Sequence, residues 1–195
     1  MDFLNGMNIK SRRNHGSSFL SVLSSHGNED VIYGADGNSV YLRDIFSMFG
    51  AESCPSLAGK PKIFFIQACR GSQQDKGVLV EPVPEVETDG CGSQQNFFFQ
   101  YLAIPEDTVV HFSSCPDYSS FLRPTGSTFL QTLYKVLSGE QRHWELLRIM
   151  TRVNCLVALT FESRGQHGGK KQMPCFVTKL RQEVYLSVES KASSL

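Results

Sequence analysis

No apolar run in this 195-residue chain exceeds a handful of residues, well short of the roughly 20 that span a bilayer. The opening stretch, Met1 to Gly6, has neither a basic n-region nor an apolar core, so it does not read as a secretory leader. Charge of one sign is not in excess. Nineteen basic residues balance nineteen acidic ones, so no broad electrostatic pull toward nucleic acid or a membrane is expected. None of the six cysteines, at positions 54, 69, 91, 115, 155 and 175, forms a CxxC pair. That argues against a zinc ribbon or a thioredoxin-type motif. Without an export signal, free thiols in a reducing cytosol are favoured over a disulfide framework. One of those thiols is then a candidate for catalysis. No internal repeat is visible, and the length suits one domain with a full core.

What is present alternates strand and helix signals. Phe19 to Ser25 is short, apolar and rich in small residues, and it ends at His26-Gly27. It reads as a buried strand. Gly34 to Gly37 marks a turn between two short extended pieces within 31–40. Tyr41, Leu42, Ile45, Phe46 and Phe49 recur at helical spacing, with Gly50 as the stop. Lys62 to Ala68 is the most strand-like stretch, and Cys69 stands at its end. Residues 72–96, rich in Gly, Gln, Pro and Glu, read as a mobile linker. Thr108 to Ser113 reads as another buried strand. Two amphipathic helices are predicted, over 127–137 and about 143–161. A Gly-rich basic loop, Gly165 to Lys171, leads to Pro174. A closing strand is expected near Glu183 to Leu186, then a polar, frayed tail over 188–195. This order predicts an α/β fold with a mainly parallel sheet flanked by helices.

The stretch from Phe19 to Ala68 is a strand–helix–strand unit, so its two strands are parallel and adjacent. Their ends share one edge, where open parallel sheets bind ligands. His26 follows the first strand and Cys69 ends the second, which is the placement a Cys–His nucleophile pair needs. An imidazole raises the thiolate fraction and later protonates a leaving amine. Gly27 lets the backbone approach a substrate carbonyl, and its N–H with that of Cys69 could form an oxyanion hole. A cysteine after a buried strand also serves as a small core residue, and His-Gly also serves as a plain turn. Spacing alone leaves both readings open.

The pentapeptide Gln67-Ala68-Cys69-Arg70-Gly71 resembles the caspase signature, whose histidine lies about 50 residues upstream. Here His26 stands 43 residues before Cys69. Ser25 to Gly27, Ile32 to Gly37, Cys54 to Lys62 and Lys170 to Pro174 resemble caspases as well, in order, and the similarity runs from about Ser17 to Leu186. Arg148 to Asn154 and Lys170 to Cys175 look nearest to the executioner group.

The resemblance implies a caspase-like α/β/α sandwich, expected here without its first strand and helix. Residues 1–18 would be a residual N-terminal segment, 19–89 a large-subunit part and 97–187 a small-subunit part, with the linker at 72–96 between them. It implies a cytosolic cysteine endopeptidase of regulated cell death that cuts protein substrates after aspartate, with no metal or cofactor. Cys69 would be the nucleophile, His26 the proton shuttle, and Gly27 with Cys69 the oxyanion hole. Gln67 would help hold the P1 aspartate. The implied partners are self or another caspase, joined through a small-subunit strand into a dimer, and an upstream initiator caspase. Asp89-Gly90, after Val86-Glu87-Thr88, resembles a zymogen processing site.

Two departures bear on activity. The arginine that caspases draw from an early loop has no match here. In the substrate loop, ungapped matching from Asp107 through Tyr118 puts Ser119 at the family's tyrosine, Ser120 at its serine, Phe121 at its tryptophan and Leu122 at its arginine. Arg123 follows one step late, and a one-residue bulge would restore it. The alternative function is therefore an inactive caspase-like fragment that binds and modulates a full-length caspase.

Overall fold

The structure, a computed structural model, describes residues 16–28, 30–77, 104–123, 126–164 and 168–186. Strand β1 (Phe19–Ser24) runs into a small antiparallel ribbon of β2 (Gly27–Asn28), β3 (Val31–Tyr33) and β4 (Ser39–Tyr41). Helix α1 (Leu42–Ser47) then returns the chain to β5 (Lys62–Gln67). Next come β6 (Thr108–Phe112), the hairpin of β7 (Leu122–Arg123) and β8 (Gly126–Ser127), helices α2 (Thr128–Ser138) and α3 (Leu146–Thr160), and β9 (Cys175–Thr178). The main sheet has the order β1-β5-β6-β9. Its first three strands are parallel and β9 is antiparallel to β6.

Every residue of β5 is buried, because helices cover both of its faces. Ile63 and Phe65, with Val109 of β6, pack against Phe129, Leu133, Ile149 and Val153 of α2 and α3. Phe64 and Ile66, with Val110 and Phe112, pack against Ile45, Phe46 and Phe49. The two-residue period of a strand divides one continuous apolar run between two cores. Burying each such side chain contributes about 1.5–3 kcal/mol. The result is the expected mainly parallel sheet with helices on both sides.

Three local expectations need correction. β1 is half-buried: Phe19 and Leu23 join the α1 core, but Leu20 and Val22 remain 47% and 49% exposed. It is the end strand, and the core built on α2 and α3 does not extend to it. The strand that closes the sheet is Cys175–Thr178, not the stretch near 183–186. Phe176 packs on one core and Cys175 and Val177 on the other, so this short segment meets both faces. Val184 is instead taken up by the start of α3, where its carbonyl accepts from the Leu146 N–H at 2.8 Å. That helix begins at Leu146, three residues later than its apolar pattern suggests. The Glu145 carboxylate caps it, accepting from the backbone N–H groups of Leu147 and Arg148 at 2.8 and 3.2 Å.

Of the stretch 72–96, only 72–77 is described, and it is docked: Gln73 bridges to Tyr118 and Asp75 to Lys171. Asp89-Gly90, residues 1–15 and the tail from 187 lie outside the described residues. At the rim opposite the ends of β1 and β5, Arg181 grips the buried Asp107 carboxylate through two N–H groups at 2.9 and 2.7 Å.

His111, fully buried in β6, donates one hydrogen bond from Nε2 to Asn154 Oδ1 at 2.8 Å. Phe65, Phe129 and Phe176 surround its ring. Nδ1 has no hydrogen-bond partner, and burial lowers the imidazole pKa to about 4. An unfolded histidine binds its proton near pH 6.5, so between pH 6.5 and 4 the unfolded chain holds more protons than the folded one. Stability therefore rises with pH across that window and is lost as pH falls through it. The expected loss from this site is about 2 kcal/mol between pH 7 and pH 5. Urea unfolding of wild type and His111→Gln at both pH values checks this. The substitution should shrink the pH-dependent loss, and an identical loss in both proteins would sink the assignment.

Candidate active site

The parallel register of β1 and β5 pairs Ser24 with Gln67, and the Ser25 N–H continues it to the Gln67 carbonyl at 3.1 Å. His26 and Cys69 each lie two residues beyond that last pair, so both stand on the carboxyl rim of the sheet. His26 sits where β1 gives way to the ribbon. Its carbonyl accepts from the Tyr33 N–H at 2.9 Å, and its side chain is exposed. No hydrogen bond joins the imidazole to the Cys69 thiol. Such bonds often tighten only when substrate is bound.

The half-buried Cys69 thiol is held instead by the main chain of Ser120. Sγ donates to the Ser120 carbonyl at 3.2 Å, and the Ser120 N–H points to Sγ at 3.4 Å. Beside it, the Gln67 amide is engaged at both ends. Nε2 donates to Ser120 Oγ at 2.8 Å, and the Ser127 hydroxyl donates to Oε1. The buried Ser127 also caps α2, accepting from the Leu130 N–H at 3.2 Å.

The loop 118–121 is laid on the pentapeptide by its own backbone. Arg70 N–H donates to the Tyr118 carbonyl at 3.1 Å and Ser119 N–H to the Gln73 carbonyl at 2.8 Å. The Ser119 hydroxyl reaches the Gly71 carbonyl at 3.2 Å. The Phe121 ring lies against Phe161, and its N–H donates to Gln172 Oε1 at 3.1 Å. Leu122 points outward, 66% exposed. Arg123 pairs with Gly126 in the hairpin. A thiol beside an accessible imidazole at a sheet rim, next to an anchored amide and a docked loop, can serve nucleophilic acyl transfer.

A family model for the caspase domain matches residues 6–185. The chain belongs to the caspase family. It is similar to Caspase-7 of Gallus gallus, 37% identical over 178 residues that cover 88% of this chain and 56% of that protein. It is similar as well to Caspase-3 of Felis catus, 40% identical over 181 residues, 90% of this chain and 62% of that one. Caspase-3 of Bos taurus is 37% identical over 190 residues, 94% and 66% of the two chains. The chain thus spans about 56% to 66% of the length of these relatives.

Within this caspase domain, two glycines at the rim also serve packing. A Cβ on Gly27 would stand 2.7 Å from the Val31 carbonyl oxygen, 2.9 Å from that of Cys69 and 3.0 Å from the Ala68 Cβ. Gly27 is therefore required for close packing of the histidine turn on the cysteine turn, before any substrate is considered. Gly71 has φ +151, and a Cβ there would come within 2.2 Å of the Asp117 carbonyl oxygen. Gln172 and Ser127 were overlooked as site residues. Gln172 is buried and bridges the loop to β6, donating to the Ser113 carbonyl at 2.8 Å. Its signal was its place in the Lys170 to Pro174 motif. For Ser127 the signal was a hydroxyl at the start of a predicted helix.

Rigid neighbours make both close approaches costly to lose. Gly27→Ala and Gly71→Ala should each destabilise by about 1–3 kcal/mol, as overpacking does. They should also raise the iodoacetamide reactivity of Cys69 as the Ser120 contact loosens. Gly37, at φ +80 with open space around its Cβ position, is the comparison: Gly37→Ala should cost only about 1–2 kcal/mol of backbone strain and leave Cys69 reactivity unchanged. Thermal melts with timed alkylation decide it, and equal effects at all three sites would sink the close-packing role.

Proposed function

We propose that this chain is a cysteine endopeptidase that cleaves protein substrates after aspartate in regulated cell death. The observation that carries this reading is the shared rim: Cys69 and His26 end two paired parallel strands in the same register, within a caspase domain. The Cys69 thiolate attacks the scissile carbonyl carbon as the C=O π-electrons move to oxygen. The Gly27 and Cys69 N–H groups receive that oxyanion. His26 protonates the departing amine, leaving a thioester on Cys69. Water, deprotonated by His26, then attacks the thioester and releases the new carboxylate. Gln67, Ser119, Ser120, Phe121, Leu122 and Arg123 form the substrate side. For attack to occur, the thiol must leave its contacts with Ser120.

Partners follow from the same reading: self or another caspase, paired through the β9 edge of the sheet, and an initiator caspase acting on the linker in the cytosol. No helix of the described residues is long and apolar enough to cross a membrane. A second reading, an inactive fragment that modulates a full-length caspase, draws on Leu122. An exposed leucine stands where the family's pocket places an arginine, and a buried P1 aspartate without a cation carries a desolvation cost of several kcal/mol.

A P1-aspartyl aldehyde or fluoromethyl ketone separates the two. Mass spectrometry should find the ketone label on Cys69. Cys69→Ala should abolish both label and cleavage with little change in melting temperature. A folded wild-type chain that stays unlabelled would favour the modulator.

Processing is proposed at Asp89. Val86-Glu87-Thr88-Asp89 places aspartate at P1 with Gly90 at P1′. The competing aspartates are held elsewhere: Asp107 by Arg181, and Asp75 by its bridge to Lys171. Incubation with an active initiator caspase should give two fragments, one ending at Asp89 and one starting at Gly90. Intact masses that place the cut elsewhere, or an uncut folded chain, would falsify the zymogen reading.

A further inference from the structure

Two peptide units frame the Cys69 thiol, and one buried side chain connects them. The first joins Ser120 to Phe121. Its carbonyl accepts from Cys69 Sγ at 3.2 Å, and its N–H donates to Gln172 Oε1 at 3.1 Å. The second joins Ala68 to Cys69. Its carbonyl accepts from the Ser113 hydroxyl at 3.3 Å, and its N–H is one of the two proposed to receive the oxyanion. Gln172 Nε2 donates to the Ser113 main-chain carbonyl at 2.8 Å. Both units are trans, so each is planar with its C=O and N–H pointing opposite ways. Whatever fixes one end of such a unit aims the other.

We propose that Gln172 is a positioning residue for Cys69, setting through the peptide between Ser120 and Phe121 where the thiol is held. Its acceptor oxygen meets the same peptide plane that accepts from the thiol. Donation by that N–H polarises the plane and strengthens its carbonyl as an acceptor. The amide also spans two fixed points. At its base, Lys171 N–H donates to the Asp75 carbonyl at 2.9 Å, and Lys171 Nζ pairs with Glu162 at 3.0 Å. At its far end, Ser113 N–H is tied into the sheet by the Ile66 carbonyl at 2.9 Å. The contacts with Arg70 and Gln73 hold Tyr118 and Ser119, on the near side of Ser120. Gln172 holds the far side.

Loss of either amide bond lets the plane between Ser120 and Phe121 turn. The resting thiol then opens to small electrophiles, and its aim at a bound peptide is lost. The purpose of this positioning rests on the cleavage reading, since the thiol is held for attack. Alkylation of the resting thiol does not depend on that reading. A wild type that cleaves no peptide would refute the cleavage reading and leave the alkylation rates as evidence on Gln172.

A buried amide with both ends paired also serves stability, so the deciding variant must separate the two roles. Gln172→Glu does so. Its neutral carboxyl donates O–H to the Ser113 carbonyl and accepts from the Phe121 N–H. Its carboxylate has no proton for Ser113 and turns an oxygen on that carbonyl. Burial raises the glutamate pKa above its usual value of about 4.3, so the switch falls between acid and mildly basic pH.

The experiment measures iodoacetamide alkylation of Cys69 by mass spectrometry, as the ratio of variant to wild type. That ratio cancels the thiol's own pH dependence. For Gln172→Glu it should be near one at about pH 5.5 and several-fold higher at about pH 8. The half-buried Cys54, outside this ring of contacts, should keep a ratio near one throughout. Gln172→Leu makes neither bond and should show the raised Cys69 ratio at both pH values. A Gln172→Glu ratio that stays flat with pH overturns the proposal. So does a rise shared equally by Cys54, which marks lost stability in place of lost positioning. A folded Gln172→Leu chain with the wild-type Cys69 rate overturns it too, as does a Gln172→Glu chain unfolded at acid pH, where both bonds are kept. Should Gln172→Leu not fold, the Gln172→Glu ratio alone decides.

Discussion

Strand β5 is apolar on both faces and buried throughout, and its position determines most of what surrounds it. A strand with Ile63 and Phe65 on one side and Phe64 and Ile66 on the other must have helices above and below. It must also have hydrogen-bonded strands at both edges, since unpaired backbone groups at the centre of a core are costly. β1 supplies one edge and β6 the other. Once β1 lies parallel to β5 in the observed register, the end of one delivers His26 and the end of the other Cys69. The chemistry at the rim is a consequence of core packing several residues away.

The rim is assembled from segments far apart in the chain, and backbone contacts hold them together. Gly27 lets the turn after β1 lie on the main chain of Cys69, and Gly71 lets the turn after β5 lie on Asp117. Side-chain amides then span the remaining distance: Gln67 ties Ser120 to Ser127, and Gln172 ties Phe121 to Ser113. A buried network whose members are paired fixes one arrangement, because any alternative leaves a desolvated polar group unmet. The 118–121 loop thus has its position specified from two sides, by the pentapeptide and by the stretch leading to β9.

Long periodic segments were legible in the sequence and short compensated ones were not. β5, β6 and α2 stood out because an apolar run or a helical stripe repeats a single physical instruction. The Cys69 and His26 placement followed from topology, and the pentapeptide gave the family. β9 was missed because its four residues carry no strong alternation, and its place depends on the register it finds against β6. Val184 and Tyr185 look like a strand locally, yet Glu145 at the start of α3 takes up that backbone. The exposure of Leu20 and Val22 was also hidden, since an apolar residue in a strand does not say which neighbours will cover it. Gly27 was noted for close approach to a substrate carbonyl, but its close approach to the Cys69 main chain had no signal in the sequence.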